Sequence, residues 1–142
     1  MAIFSLSQRT SGASSGTAAH EIIAGANNAY SLKELGMTLN AGTATTLGFG
    51  SPAAKGTTPT SVVVLAEDAG NTTTGATSGA LTWATAPTIP TAFFRRASLP
   101  AVIGSGVVWT FPRGLNVLKT VTTVLWNFVT GSVYDVWFVV DE

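Results

Sequence analysis

Apolar and polar positions alternate with a period of two along most of this chain, in short runs separated by Gly and Pro. The clearest run is Val133–Val140. Tyr134, Val136, Phe138 and Val140 share one face; Asp135, Trp137, Val139 and Asp141 share the other. A second run, Val121–Val129, places Val124, Trp126 and Phe128 on one face. Thr130-Gly131-Ser132 lies between them, and apolar alternation around a short Gly-containing loop predicts a β-hairpin. Strands with apolar bulk on both faces need cover on both.

The same reading extends upstream. His20–Ala24 predicts the first strand, and Gly25-Ala26-Asn27-Asn28 a turn. Tyr30–Leu39 reads as a strand: Leu35, Met37 and Leu39 alternate with Glu34, Gly36 and Thr38, and Gly36 and Thr38 interrupt any helical pattern. Thr45–Phe49 follows. Ser61–Ala66 carries four consecutive apolar residues, Val62 to Leu65, the signal of a buried strand. Glu67–Ala80 is rich in Gly and Thr and predicts a long exposed loop. Short strands are expected at Leu81–Thr85 around Trp83, at Ala92–Leu99 and at Val107–Phe111. Pro112-Arg113-Gly114 predicts a turn into Leu115–Lys119.

Nine or ten short runs without an amphipathic helix of ten residues predict an all-β sandwich or barrel. A jelly-roll β-sandwich of about eight to ten antiparallel strands fits the length and the unequal connectors. Residues 1–18 are mostly Ser, Gly, Thr and Ala. They predict a flexible N-terminal arm, because such a segment buries too little apolar area to offset its ordering entropy. The arm is either a frayed terminus or a segment that orders on a neighbour, anchored by Ile3, Phe4 and Leu6. Residues 19–142 form the β domain.

Composition sharpens this picture. The 142 residues fit one domain, and a chain of that size holds a core without staples. It has no Cys, so disulfides and thiolate metal sites are excluded. Seven basic and seven acidic residues cancel, which leaves no cationic field for a phosphate backbone. The charged fraction is only 10%, against about 25% in ordinary domains. Soluble monomers keep apart through mixed surface charge. A chain with so little has either a neutral, hydroxyl-rich surface or one covered by partners or by copies of itself. No run reaches the ~18 apolar residues of a membrane span, and the first residues do not read as a signal peptide.

Candidate chemistry is sparse. His20 is the one histidine, and no serine lies in a nucleophile-elbow pattern, so neither a Ser-His-Asp site nor a zinc site is expected. Glu67, Asp68 and Asn71 could offer oxygen ligands to Ca²⁺, but without the EF-hand spacing. Arg95 and Arg96 should point to opposite faces of a strand. An inward arginine would need a carboxylate, and Arg113 is expected to make either ordinary salt bridges or a pair across subunits with Asp135, Asp141 or Glu142. Asn71-Thr72-Thr73 matches a glycosylation sequon, which matters only in a secreted chain. Trp83, Trp109, Trp126 and Trp137 raise sugar binding, although aromatics alternating along strands more often fill cores.

The segment FFRRASLPAVIGSGVVWTFPRGLNVL, followed by VLWNFVTGSVYDVWFVVDE, resembles the small jelly-roll cement or decoration proteins of tailed bacteriophages, similar in outline to the tumour-necrosis-factor fold. The resemblance covers about residues 20 to 142 and rests on style rather than on a diagnostic motif. It implies a structural virion protein, not an enzyme, with no cofactor or metal. That protein would be made in the host cytoplasm and seated on the capsid surface as a homotrimer. Its partners would be further copies of itself and the major capsid protein, with no nucleic acid or membrane. On that footing Trp109, Phe111, Trp137 and Val139 are the expected trimer contacts, and Ile3, Phe4 and Leu6 the expected shell contacts. The rival expectation is a receptor- or glycan-binding domain of a tail fibre or adhesin.

Overall fold

The computed structural model describes residues 2–11 and 16–142. It is all-β, with ten antiparallel strands and no helix among these residues. The strands are β1 (Ile3–Arg9), β2 (Thr17–Ile23), β3 (Tyr30–Leu39), β4 (Thr45–Gly50), β5 (Ser61–Ala66), β6 (Thr74–Ala80), β7 (Arg95–Leu99), β8 (Gly106–Val117), β9 (Thr122–Asn127) and β10 (Tyr134–Asp141). They form one sheet in the order β7-β4-β9-β2-β6-β5-β1-β10-β3-β8.

With β5 and β6 set aside, that order separates into two halves, β1-β10-β3-β8 and β2-β9-β4-β7. Most connections pass from one half to the other, and first and last strands lie side by side. This is the double Greek key of a jelly roll. The β5–β6 hairpin bridges the halves along one side: β5 pairs with β1, and β6 with β2. On the opposite side β7 and β8 remain the two edges.

The core lies between the halves. Leu32, Leu35, Met37, Leu47, Phe49, Val136, Phe138 and Val140 are completely buried there. The period-two prediction for β10 holds, with Tyr134, Val136, Phe138 and Val140 all inward. Two pairs of buried polar groups satisfy each other: Tyr30 Oη sits 2.8 Å from Thr123 Oγ1, and Thr45 Oγ1 donates to Asn127 Oδ1 at 2.7 Å.

Several sequence expectations are corrected. Ile3–Arg9 of the expected flexible arm is an interior strand. It pairs along its whole length with β10 and also with β5. Its alternation places Phe4 and Leu6 in the core and Ser5 and Ser7 outside. Burying two such side chains contributes about 1.5–3 kcal/mol each, and two hydrogen-bonded neighbours satisfy the backbone. Part of that expected arm, residues 12–15, lies outside the described residues.

The predicted hairpin between the last two runs does not form. β9 pairs with β2 and β4, and β10 with β1 and β3, so the Phe128–Val133 connection passes between the halves. Both runs have apolar faces to bury, and each finds cover in its own half. The expected loop Glu67–Ala80 contains β6. Leu81–Thr85 is not a strand; it contributes only a bridge between Thr85 and Thr57. Pro112-Arg113-Gly114 does not end a strand either. Leu32 faces Leu115 and Glu34 faces Thr110, so β8 carries extra residues here and continues as one bulged strand. Gly114 supplies the left-handed φ of +72° that the bulge requires.

Candidate functional site

The two halves differ in what covers their outer faces. Over β2 and β9, the segments between β4 and β5 and between β6 and β7 form a roof. Val124 and Trp126 are fully buried beneath it, packed with Ala18, Trp83, Phe93 and Phe128. The Arg96 guanidinium lies over the rings of Phe93 and Phe128, at 5.2 and 4.9 Å. Arg95, on the other face, lies over Phe111 at 5.2 Å. The two arginines do diverge, but each meets an aromatic ring rather than a carboxylate.

The outer face of β8-β3-β10-β1-β5 has no such roof among the described residues. Cross-strand register arranges it in rows. Val108, Gly36, Trp137 and Ser7 form one row. Thr110, Glu34, Val139, Ser5 and Leu65 form the next. Ile3 lies opposite Asp141 beside them. The Trp137 indole lies across Gly36, where a Cβ would overlap the ring, and donates Nε1–H to Glu34 Oε1 at 2.9 Å. Leu65 is 62% exposed and Ile3 50%; Val63 and Val108 are also exposed.

The ionic groups around this face pair within the chain. Arg9 donates to both oxygens of Asp135, at 2.7 and 2.9 Å. This bidentate pair raises the Arg9 pKa and holds that of Asp135 below the usual carboxylate value. Lys33 lies 3.7 Å from Asp141. The Glu142 carboxylate accepts from the backbone N–H groups of Ala76 and Thr77, at 2.8 and 2.6 Å. Those amides sit where the β5–β6 register shifts. The three carboxylates weighed as intersubunit partners of Arg113 are therefore engaged inside the protomer.

Of the seven residues expected to make outside contacts, the structure brings three together: Ile3, Trp137 and Val139 share the open face. The other four are corrections. Trp109 and Phe111 point inward and pack on Phe49, at ring distances of 6.4 and 6.1 Å. Phe4 and Leu6 are also in the core. The sequence reading placed Trp109 and Phe111 on the wrong side of β8, where the outward positions are Val108 and Thr110. It missed Val63 and Leu65 because an unbroken apolar run reads as buried. Val64 alone of that run is fully buried.

The other candidate groups serve the fold. His20 is buried, sits 2.8 Å from Gln8 Oε1 and meets the edge of Phe138. Burial pushes its pKa down to about 3. Asp68 and Asn71 spend side-chain oxygens on the backbone of their own turn, accepting from Gly70 and Thr73 at 3.1 and 2.9 Å. Among the described residues no three His, Asp or Glu side chains gather into a metal-binding group.

No protein-family model, curated protein or solved structure matches this chain.

Proposed function

We propose that this chain is a structural virion protein, a cement or decoration protein that binds the outer surface of a phage head as a homotrimer and stabilises the shell. The observation that carries the reading is the open face around Trp137. It is a broad sheet surface bearing Ile3, Val63, Leu65, Val108 and Val139, with its neighbouring ionic groups already paired in the protomer. Such a surface is costly to leave wet and costs little to bury, since few charges must be desolvated. Cyclic symmetry lets three copies cover it and close. The overall shortage of charge, 10% of residues, points the same way. The tail-fibre or adhesin alternative relies on free loop aromatics. Phe94 is exposed, but Trp83 and Phe93 are packed into the roof.

The experiment measures two things: mass by light scattering, and co-sedimentation with undecorated phage heads. The reading expects a particle of three 14.5 kDa subunits that saturates the head surface. A monomer at high concentration, or a trimer that ignores heads but is retained on a glycan array, would overturn it.

A further inference from the structure

On the roofed side, beneath the segment between β4 and β5, lies a pocket of about 260 Å³. Glu21 and Thr122 line it. Glu21 faces Val124 and Thr122 faces Ile23 across the β2–β9 ladder, so the two are diagonal neighbours on one outer face. Both are buried, at 1% and 4% exposure. Glu21 Oε2 accepts the Nε1–H of Trp83. Glu21 Oε1 and Thr122 Oγ1 have no hydrogen-bond partner. A buried carboxylate oxygen left unfilled is costly, and two unfilled polar atoms on neighbouring residues of the lining need an account.

The rest of the lining narrows the ligand. Ile23, Ala24 and Pro59 supply an apolar wall, and Lys55 a cation. Lys55 makes no ion pair among the described residues. A hard divalent cation is a poor match, because it takes six or more oxygens and the lining has a single carboxylate. A ligand with an ammonium at one end and a carboxylate at the other matches both unpaired charges. The volume lies just below the range of about 300–1,000 Å³ typical of drug-sized ligands, so the molecule is small.

We propose that this pocket binds a small aliphatic zwitterion of the amino-acid class. Its ammonium donates to Glu21 Oε1 and Thr122 Oγ1, and its carboxylate faces Lys55. Its carbon body lies against Ile23 and Pro59. This site is separate from the assembly face and does not depend on the trimer.

The test is calorimetric titration of the full chain with three probes: γ-aminobutyrate, butylammonium and butyrate. The Trp83 indole N–H resonance is followed by NMR as a local reporter. The wild type is expected to bind γ-aminobutyrate at least tenfold more tightly than either single-charge probe, with the Trp83 signal shifting. Glu21→Gln keeps an acceptor for Trp83 and should lose binding at least tenfold. Lys55→Met should reduce γ-aminobutyrate to the affinity of butylammonium. Thr122→Val, nearly isosteric, should weaken binding several-fold and serves if Glu21→Gln does not fold. Binding of none of the probes by the wild type overturns the proposal, as does affinity unchanged in a folded Glu21→Gln or Thr122→Val variant. Equal affinity for butylammonium and γ-aminobutyrate overturns the assigned role of Lys55 and with it the zwitterion.

Discussion

Single residues in this protein carry constraints that the period-two pattern does not reveal. Gly36 is the outward position of β3 opposite Trp137, and its missing side chain is the space the indole occupies. Gly36→Ala should therefore lift the ring from the sheet and strain the Glu34 hydrogen bond. The expected cost is about 1–3 kcal/mol, the usual range for overpacking. Urea unfolding checks the cost, and the Trp137 indole N–H shift checks the cause. His20 is the second case. It was legible as a lone histidine, but its burial was not, because that depends on Gln8 and Phe138 from strands distant in sequence. Its folded pKa of about 3 lies below the ordinary value of 6.5, so the unfolded chain binds the extra proton first. Stability from this group is complete above pH 6.5 and is lost as pH falls from 6.5 toward 3, by at most about 1.4 kcal/mol per pH unit. His20 is the only histidine, so a loss between pH 6.5 and 5, before the carboxylates titrate, is its signature. Unfolding free energies measured at pH 7, 6 and 5 would refute the assignment if they were flat.

At the scale of elements, the sequence was informative wherever alternation ran long enough. β3, β4, β5 and β10 were readable because large apolar residues recur at every second position or in an unbroken run. β1 was not, because Ser5 and Ser7 dilute the alternation of Phe4 and Leu6, and local composition resembles that of a disordered segment. Its order comes from β10 and β5, which no local window contains. β6, with Gly75, Thr77, Gly79 and Ala80 as its buried positions, has no bulky residue to announce a strand at all. The absent hairpin has a similar cause: a short Gly-containing loop permits a tight turn but does not exclude a crossing. The strand reading of the N-terminus differs from the arm reading in a measurable way. Phe4→Ala should destabilise the fold by about 3–5 kcal/mol, as for other buried Phe truncations. Deletion of residues 1–9 should unfold the domain, because β10 and β5 lose their common partner. A released shell-binding arm would instead leave the midpoint of thermal unfolding unchanged and abolish only head binding.

For the whole molecule, the decisive feature is the asymmetry between its two outer faces. Both carry large apolar side chains. One is roofed by the chain's own connectors, and that cover was invisible in the pattern because the connectors read as loops. The other, around Trp137, has no such cover among the described residues. Self-association through that face makes a prediction about driving force as well as stoichiometry. The exposed large apolar residues of that face are aliphatic, while Arg9–Asp135 and Lys33–Asp141 are already paired. Raising the salt concentration screens exposed charges over a Debye length that falls from about 10 Å at 0.1 M to 3 Å at 1 M, so an assembly held by ion pairs between subunits would loosen. Apolar burial does not weaken in this way. The proposed homotrimer should therefore keep its mass from 0.1 to about 1 M NaCl. Leu65→Glu, at the most exposed large apolar residue of the face, should convert it to monomers by placing a charge in the contact while leaving the thermal midpoint of the protomer within a few degrees. Light scattering with circular dichroism on the same samples separates the outcomes. Mass unchanged in Leu65→Glu would move the contact to another surface, and mass falling with salt would assign it to charge rather than to this apolar sheet.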